Sequence, residues 1–161
     1  MEKLQLSEIA AAVGSKTPLE AAVNDICTDT RKLEPGCLFL ALRGANFDGH
    51  QAAAEAAEKK AAAIIVSQEV VELPKQSETT LIRVEDTRYA LAFVSAAWFD
   101  HPAKKLTTIG ITGTKGKTTT TYLVKSILEN AGRKVGLVGT IEIIIGDTHI
   151  HAVNTTPESY L

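Results

Sequence analysis

An α/β fold is predicted by three features of this 161-residue sequence. Short apolar runs alternate with alanine-rich or amphipathic stretches, a glycine-rich segment ending in Gly-Lys-Thr lies between an apolar run and a helical one, and a break at Pro102–Lys105 divides the chain. The expected architecture is a small α/β domain over 1–102, followed over 103–161 by the beginning of a parallel-sheet domain built around a phosphate-binding loop. The boundary is placed where a helix stops, lysines cluster and a new strand pattern begins.

Ser7 before Glu8–Val13 and Gly14 reads as a capped short helix. Residues 25–31, the turn Glu34-Pro35-Gly36 and the apolar run Cys37–Leu42 read as strand, turn and buried strand. Asp48 is placed to cap a helix through the alanine-rich stretch 51–60, and Ala61–Val66 returns as a buried strand, which makes a βαβ unit. Leu81–Val84 is the next strand, and Asp86 caps a helix over 87–100 with Leu91, Val94, Ala97 and Trp98 at helical spacing. Beyond the break, Thr107–Thr112 is expected as a strand and residues 117–131 as a helix with an apolar face of Leu123, Val124, Ile127, Leu128 and Ala131. Val135–Val138 is expected to run parallel to that first strand, and Ile141–Ile145 and Thr148–Val153 to form a hairpin about Gly146-Asp147. Residues 103–161 supply too few strands and helices to cover a doubly wound sheet, so this segment is expected to be incomplete and, by itself, not to catalyse a reaction.

Composition excludes several classes. The net charge is −2 with acids and bases interspersed, which gives no basic face for nucleic acid and no cationic amphipathic helix for a membrane. The apolar runs are far shorter than the roughly 18–20 residues that span a bilayer, and no basic-then-apolar leader follows Met1, so a cytoplasmic protein is expected. In that reducing compartment Cys27 and Cys37 are read as free thiols. His149 and His151 share one strand face, and with no acid cluster seen beside them in the sequence they are read as hairpin surface.

The strongest chemical signal is Gly110-Ile-Thr-Gly-Thr-Lys-Gly-Lys-Thr-Thr119. Glycines let consecutive backbone N–H groups turn toward phosphate oxygens, and a helix N-terminus adds positive potential. Lys117 is placed to reach the outer phosphates and the Thr118 hydroxyl to hold Mg²⁺. The expected nucleotide-binding residues are Gly113, Thr114, Lys115, Gly116, Lys117, Thr118 and Thr119, with ATP and Mg²⁺ as the cofactors and Thr118 as the metal-binding residue. Position 111, where G-x-x-x-x-G-K-T would have its first glycine, is Ile, so the loop has the shorter form G-x-x-G-K-T.

That loop, Thr112–Thr119, resembles the phosphate-binding loop of the Mur ligase family, with Lys115 where the family usually has Asn. Upstream, Thr28-Asp29-Thr30-Arg31, Pro35-Gly36, Leu38–Gly44 and Asp48-Gly49-His50 resemble the first-domain signature of the family's third- and fourth-step members, in which the second threonine is commonly Ser. Asn154-Thr155-Thr156-Pro157-Glu158-Ser159 resembles a segment of the member that adds the third amino acid to UDP-N-acetylmuramoyl-L-alanyl-D-glutamate. The resemblance implies a UDP-sugar-binding first domain in which Thr30 and the loop with Ala45, Asn46 and Phe47 contact the UDP or sugar portion. It also implies that Thr155 and Thr156 reach the muramoyl-peptide side. The implied parent activity is an ADP-forming carboxylate-amine ligation through an acyl phosphate, in peptidoglycan synthesis, with UDP-N-acetylmuramoyl-dipeptide and an amino acid as substrates.

Thr155 with Glu158 also has capping-box spacing, Asp29 and Arg31 also read as a local ion pair, and His50 reads equally as a neighbour of the sugar site or as part of a helix cap. Glu142 follows Gly139-Thr140 at a strand edge, either facing the nucleotide or on a solvated face. The rival functions are a non-catalytic UDP-sugar-binding module, the fourth-step ligase, and a folate-polyglutamate type ligase, which typically carries Gly-Lys-Gly-Ser where this chain has Gly116-Lys117-Thr118-Thr119.

Overall fold

A computed structural model describes residues 4–14, 22–44, 47–67, 72–152, 157, 159 and 160. The chain divides into two compact units, one running to Lys105 and joined by Tyr160, the other beginning at Leu106.

In the first unit, β1 (Leu4–Gln5) pairs antiparallel with β2 (Ala22–Val23), with α1 (Leu6–Ala12) between them. This helix starts one residue before Ser7, so Ser7 is not its cap. The Glu8 carboxylate instead accepts the Gln5 backbone N–H at 2.9 Å, because an acid at the third helical position can fold back on the N-terminus. The main sheet has four parallel strands in sequence order: β3 (Ile26–Cys27), β4 (Leu38–Leu40), β5 (Ala63–Val66) and β6 (Thr80–Arg83). The expected βαβ unit joins β4 to β5 through a 3-10 turn, Gly49–Ala52, and α2 (Ala53–Glu58).

Alternation along these strands builds two cores. Leu38, Leu40, Ala63, Ile65 and Ile82 face α1 and α3 (Thr87–Trp98), whose Leu6, Ile9, Leu91 and Val94 are also buried. Phe39, Ala41, Ile64 and Val66 face Ala53, Ala56 and Ala57 of α2. A strand covered on both faces must be apolar at every position, which accounts for the unbroken runs at 37–42 and 61–66. The alanines of α2 let that helix pack close to the sheet. Asp86 caps α3 by accepting the backbone N–H groups of Arg88 (2.7 Å) and Tyr89 (3.0 Å), and Tyr160 stacks on Phe99 with its hydroxyl donating to Asp25. Cys27 and Cys37 are buried free thiols whose pKa values burial pushes up.

The second unit consists of α4 (Lys117–Asn130) and an antiparallel meander of β7 (Gly136–Val138), β8 (Glu142–Ile145) and β9 (Thr148–His151). The hairpin turns at Gly146-Asp147, with Gly146 at φ 58°. Two expectations are corrected here. Thr107–Thr112 is not a strand, and β7, expected to run parallel to it, is instead paired antiparallel with β8. A strand is completed by a hydrogen-bonded neighbour, and no described strand lies beside 107–112; β7 finds its partner across a short turn instead. Burial follows the same limit: Leu137, Ile144 and Ala152 are buried, whereas Ile109, Leu123, Ile127, Val138 and Ile145 are exposed. Among the described residues no helix is long and apolar enough to cross a membrane.

Candidate nucleotide-binding sites

Because β3–β6 are all parallel, their carboxyl ends share one edge of the sheet, the edge at which open α/β sheets bind ligands. Thr30 lies just beyond β3, at the start of a 3-10 turn (Thr30–Lys32) whose first N–H groups are organised by Asp29. The Asp29 carboxylate accepts the Arg31 backbone N–H (3.0 Å) and pairs with its guanidinium (2.6 Å), which holds the acid down at about 2. Lys59, just past the end of α2, donates to the Thr30 carbonyl at 2.8 Å and pairs with the Glu55 carboxylate at 2.9 Å, which holds that acid below its usual pKa. Asp29 and Arg31 are thus a local pair that shapes the turn carrying Thr30.

Phe47 lies beyond β4 and is 59% exposed, in a turn closed by the Gly44 N–H donating to the Phe47 carbonyl at 2.9 Å. Ala45 and Asn46, also expected to contact substrate, lie outside the described residues. Behind the turn, Asp48 accepts the His50 backbone N–H (3.0 Å) and contacts His50 Nδ1 (2.5 Å), while Arg43 Nε donates to its other oxygen (3.2 Å). Gly49 between them has no room for a side chain, since a Cβ would come within 2.8 Å of the Leu42 carbonyl oxygen. His50 is 6% exposed and is not merely part of a cap, because its Nε2 meets the backbone N–H of Ser67 at 2.9 Å. Sequence spacing could not show this contact, which crosses from one strand end to the next. A cavity lined by Ala57, Ala61, Pro74 and Thr79 lies at the opposite edge, before β5 and β6, away from all of these residues.

The hydrogen bonds from the His50 backbone and ring hold the Asp48 carboxyl down at about 2, below the usual value near 4. A depressed acid contributes stability that is present above about pH 4 and is lost as pH falls through about 2. Asp48→Asn is therefore expected to lower stability at pH 7, with the gap to wild type closing between pH 4 and 2. Urea unfolding of both proteins across that range checks this; a constant gap would contradict it.

In the second unit, residues 112–116 form the loop leading into α4. Gly113 has φ 145° and Gly116, the residue before the helix, φ 78°, both left-handed conformations that suit glycine. No side chain caps the helix, so its first-turn N–H groups remain directed outward from its N-terminus. Lys117 reaches back to the Gly113 carbonyl (2.6 Å), which places its ammonium over the loop. Thr118 is half-buried at the first turn, and Thr114, Lys115 and Thr119 are exposed around it. Thr155 and Thr156 lie outside the described residues.

Glu142 does not stand free on a solvated face: one carboxylate oxygen accepts the Tyr122 hydroxyl from α4 (2.6 Å) and the other contacts His149 Nδ1 (2.6 Å). Tyr122 first, then His149, hold its pKa down. The histidine pair therefore has an acid beside it after all, supplied by the neighbouring strand, although no group of three metal-ligating side chains converges among the described residues.

Two family models match the chain: "Mur ligase family, catalytic domain" over residues 22–99 and "Mur ligase middle domain" over residues 111–160. The chain belongs to the Mur ligase family. It is 47% identical over 88% of its length to the UDP-N-acetylmuramoyl-L-alanyl-D-glutamate--2,6-diaminopimelate ligase of Clostridium perfringens, and 39% identical over 99% of its length to the same-named ligase of Alkaliphilus metalliredigens. It spans 28% and 32% of those two relatives. Among solved structures it resembles MurF from Acinetobacter baumannii, at 30% identity and TM-score 0.56, covering 88% of this chain and 29% of that one. A Mur ligase likeness thus extends from the parallel sheet of the first unit to the loop and helix of the second.

Proposed function

We propose that this chain is the N-terminal part of an ATP-dependent, ADP-forming amide ligase that adds the third amino acid, diaminopimelate, to UDP-N-acetylmuramoyl-L-alanyl-D-glutamate in the cytoplasm during peptidoglycan synthesis. The observation that carries the reading is the 47% identity to a ligase of that name across both units. The G-x-x-G-K-T loop at the head of α4 supports it by local chemistry.

The residues fit the cofactors. Two left-handed glycines, the open first turn of α4 and the Lys117 ammonium make a cradle for a polyphosphate, and the Thr118 hydroxyl is placed to hold Mg²⁺. ATP supplies the phosphoryl group that activates the substrate carboxylate as an acyl phosphate, and Mg²⁺ neutralises its charge. Lys117 would draw negative charge toward the loop, and the backbone N–H groups would orient the phosphates without having to reorganise. We assign residues 1–102 to the UDP-sugar and residues 103–161 to the nucleotide triphosphate. In the first segment Thr30 and Phe47 would face the UDP portion, with Ala45 and Asn46 between them in sequence; Thr155 and Thr156 would serve the muramoyl-peptide.

Isothermal titration of UDP into the 161-residue chain tests the first assignment. Saturable binding is expected, with Thr30→Ala raising Kd several-fold, on the order of one lost hydrogen bond. A wild-type chain that takes up no UDP would end the reading of the first unit as a UDP-sugar site.

A further inference from the structure

We propose that His50 is a positioning residue for Phe47 in the UDP-sugar site, acting as the central link of a buried brace that ties Arg43 and Asp48, on either side of it in sequence, to the sheet. This rests on the reading of the first unit as a UDP-sugar site.

A backbone N–H can only donate, so the Ser67 N–H at 2.9 Å makes His50 Nε2 an acceptor. The ring hydrogen is then on Nδ1 and donates to Asp48 Oδ1 at 2.5 Å. Asp48 Oδ2 accepts Arg43 Nε at 3.2 Å, and Arg43 and Asp48 are bridged antiparallel across the foot of the turn. A continuous path of hydrogen bonds therefore runs from the end of β5, through a ring 6% exposed, to both feet of the turn. From the other side α3 contributes two more ties: the Thr87 hydroxyl donates to the Ala41 carbonyl (2.9 Å) and Arg88 Nη2 donates to the Arg43 carbonyl (3.1 Å).

Capping alone does not account for this arrangement. The Asp48 cap uses the backbone N–H of His50 and would survive any side chain at that position. The ring adds a bond to a residue 17 positions away, on a different strand end. Its effect is to anchor Asp48, and through it the exposed Phe47 that precedes it, to the sheet. A contact residue anchored before the ligand arrives spares part of the ordering cost of binding.

The test is titration of UDP into the full chain, with melting temperature measured alongside. His50→Ala is expected to raise Kd about tenfold, whereas His50→Gln, whose amide oxygen can replace Nε2 as the acceptor for Ser67, recovers most of the loss. Ile9→Ala, in the core between α1 and the sheet, lowers the melting temperature and leaves Kd unchanged, which separates positioning from general loosening. A His50→Ala Kd within about twofold of a binding wild type, or an equal weakening by Ile9→Ala, overturns the proposal alone. Absence of UDP binding by the wild type overturns the underlying site as well. Where His50→Ala fails to fold, the amide pair decides: His50→Gln must bind UDP more tightly than His50→Asn, which reaches Asp48 but not Ser67, and equal affinities overturn the brace.

Discussion

Replacing Lys117 with alanine is expected to weaken binding of a fluorescent ATP analogue about hundredfold, the loss that follows from removing one charge-assisted contact of roughly 3 kcal/mol. Lys117 Nζ already lies over the loop, on the Gly113 carbonyl at 2.6 Å. Among the described residues no second ammonium is held there: Lys115 is exposed at the loop tip and Lys125 is paired with Glu129 at 2.7 Å. Polyphosphate binding without Lys117 would depend on backbone N–H groups, on Mg²⁺ held by Thr118 and on the exposed Lys115, which no contact holds over the loop. The N–H groups give geometry and a partial charge at the helix terminus, but no full cation. Because Lys117 is exposed, its removal should leave the fold of α4 intact, and a circular dichroism spectrum unchanged from wild type would show that the loss is local. Unaltered affinity would rule out the phosphate-loop assignment.

The second large effect is on stability. Leu91→Ala is expected to cost about 3 kcal/mol of unfolding free energy, within the usual range for a fully buried leucine in a close-packed core. Leu91 is 0% exposed and belongs to the cluster in which α3 meets Leu40, Ile65 and Ile82 of the sheet. These strands cannot easily close over the cavity, because each is registered to its neighbour, Leu40 to Ile65 and Ile65 to Ile82. The matching truncation at exposed Leu123 of α4, 59% accessible, should cost little. Chemical denaturation of both variants measures the contrast; similar costs would mean that Leu123 is covered or that Leu91 is not.

The first unit was readable from sequence wherever one local signal sufficed. The runs 37–42 and 61–66 are apolar at every position, which only a strand covered on both faces requires, and Asp86 followed by Leu91 and Val94 at helical spacing marks α3 and its buried side. The glycine-rich turn before α4 was equally legible, since left-handed Gly113 and Gly116 and the helix start at Lys117 are set by backbone geometry within a few residues. The start of α1 was misplaced because Ser7 is a preferred capping residue type, whereas the helix begins at Leu6 and the Glu8 side chain folds back on the Gln5 backbone N–H.

What the sequence determined by itself was therefore the set of local periodicities and the order of elements in the first unit, because burial period and cap chemistry are short-range properties. Only the tertiary structure decided contacts between residues distant in the chain. It joined His50 to Ser67 across two strand ends, set Glu142 between Tyr122 and His149, and left Thr107–Thr112 without a pairing partner among the described strands. The physical reason is the same in each case. A hydrogen bond between distant residues, like a strand ladder, depends on which surfaces the fold brings within about 3 Å, and no local pattern encodes that distance.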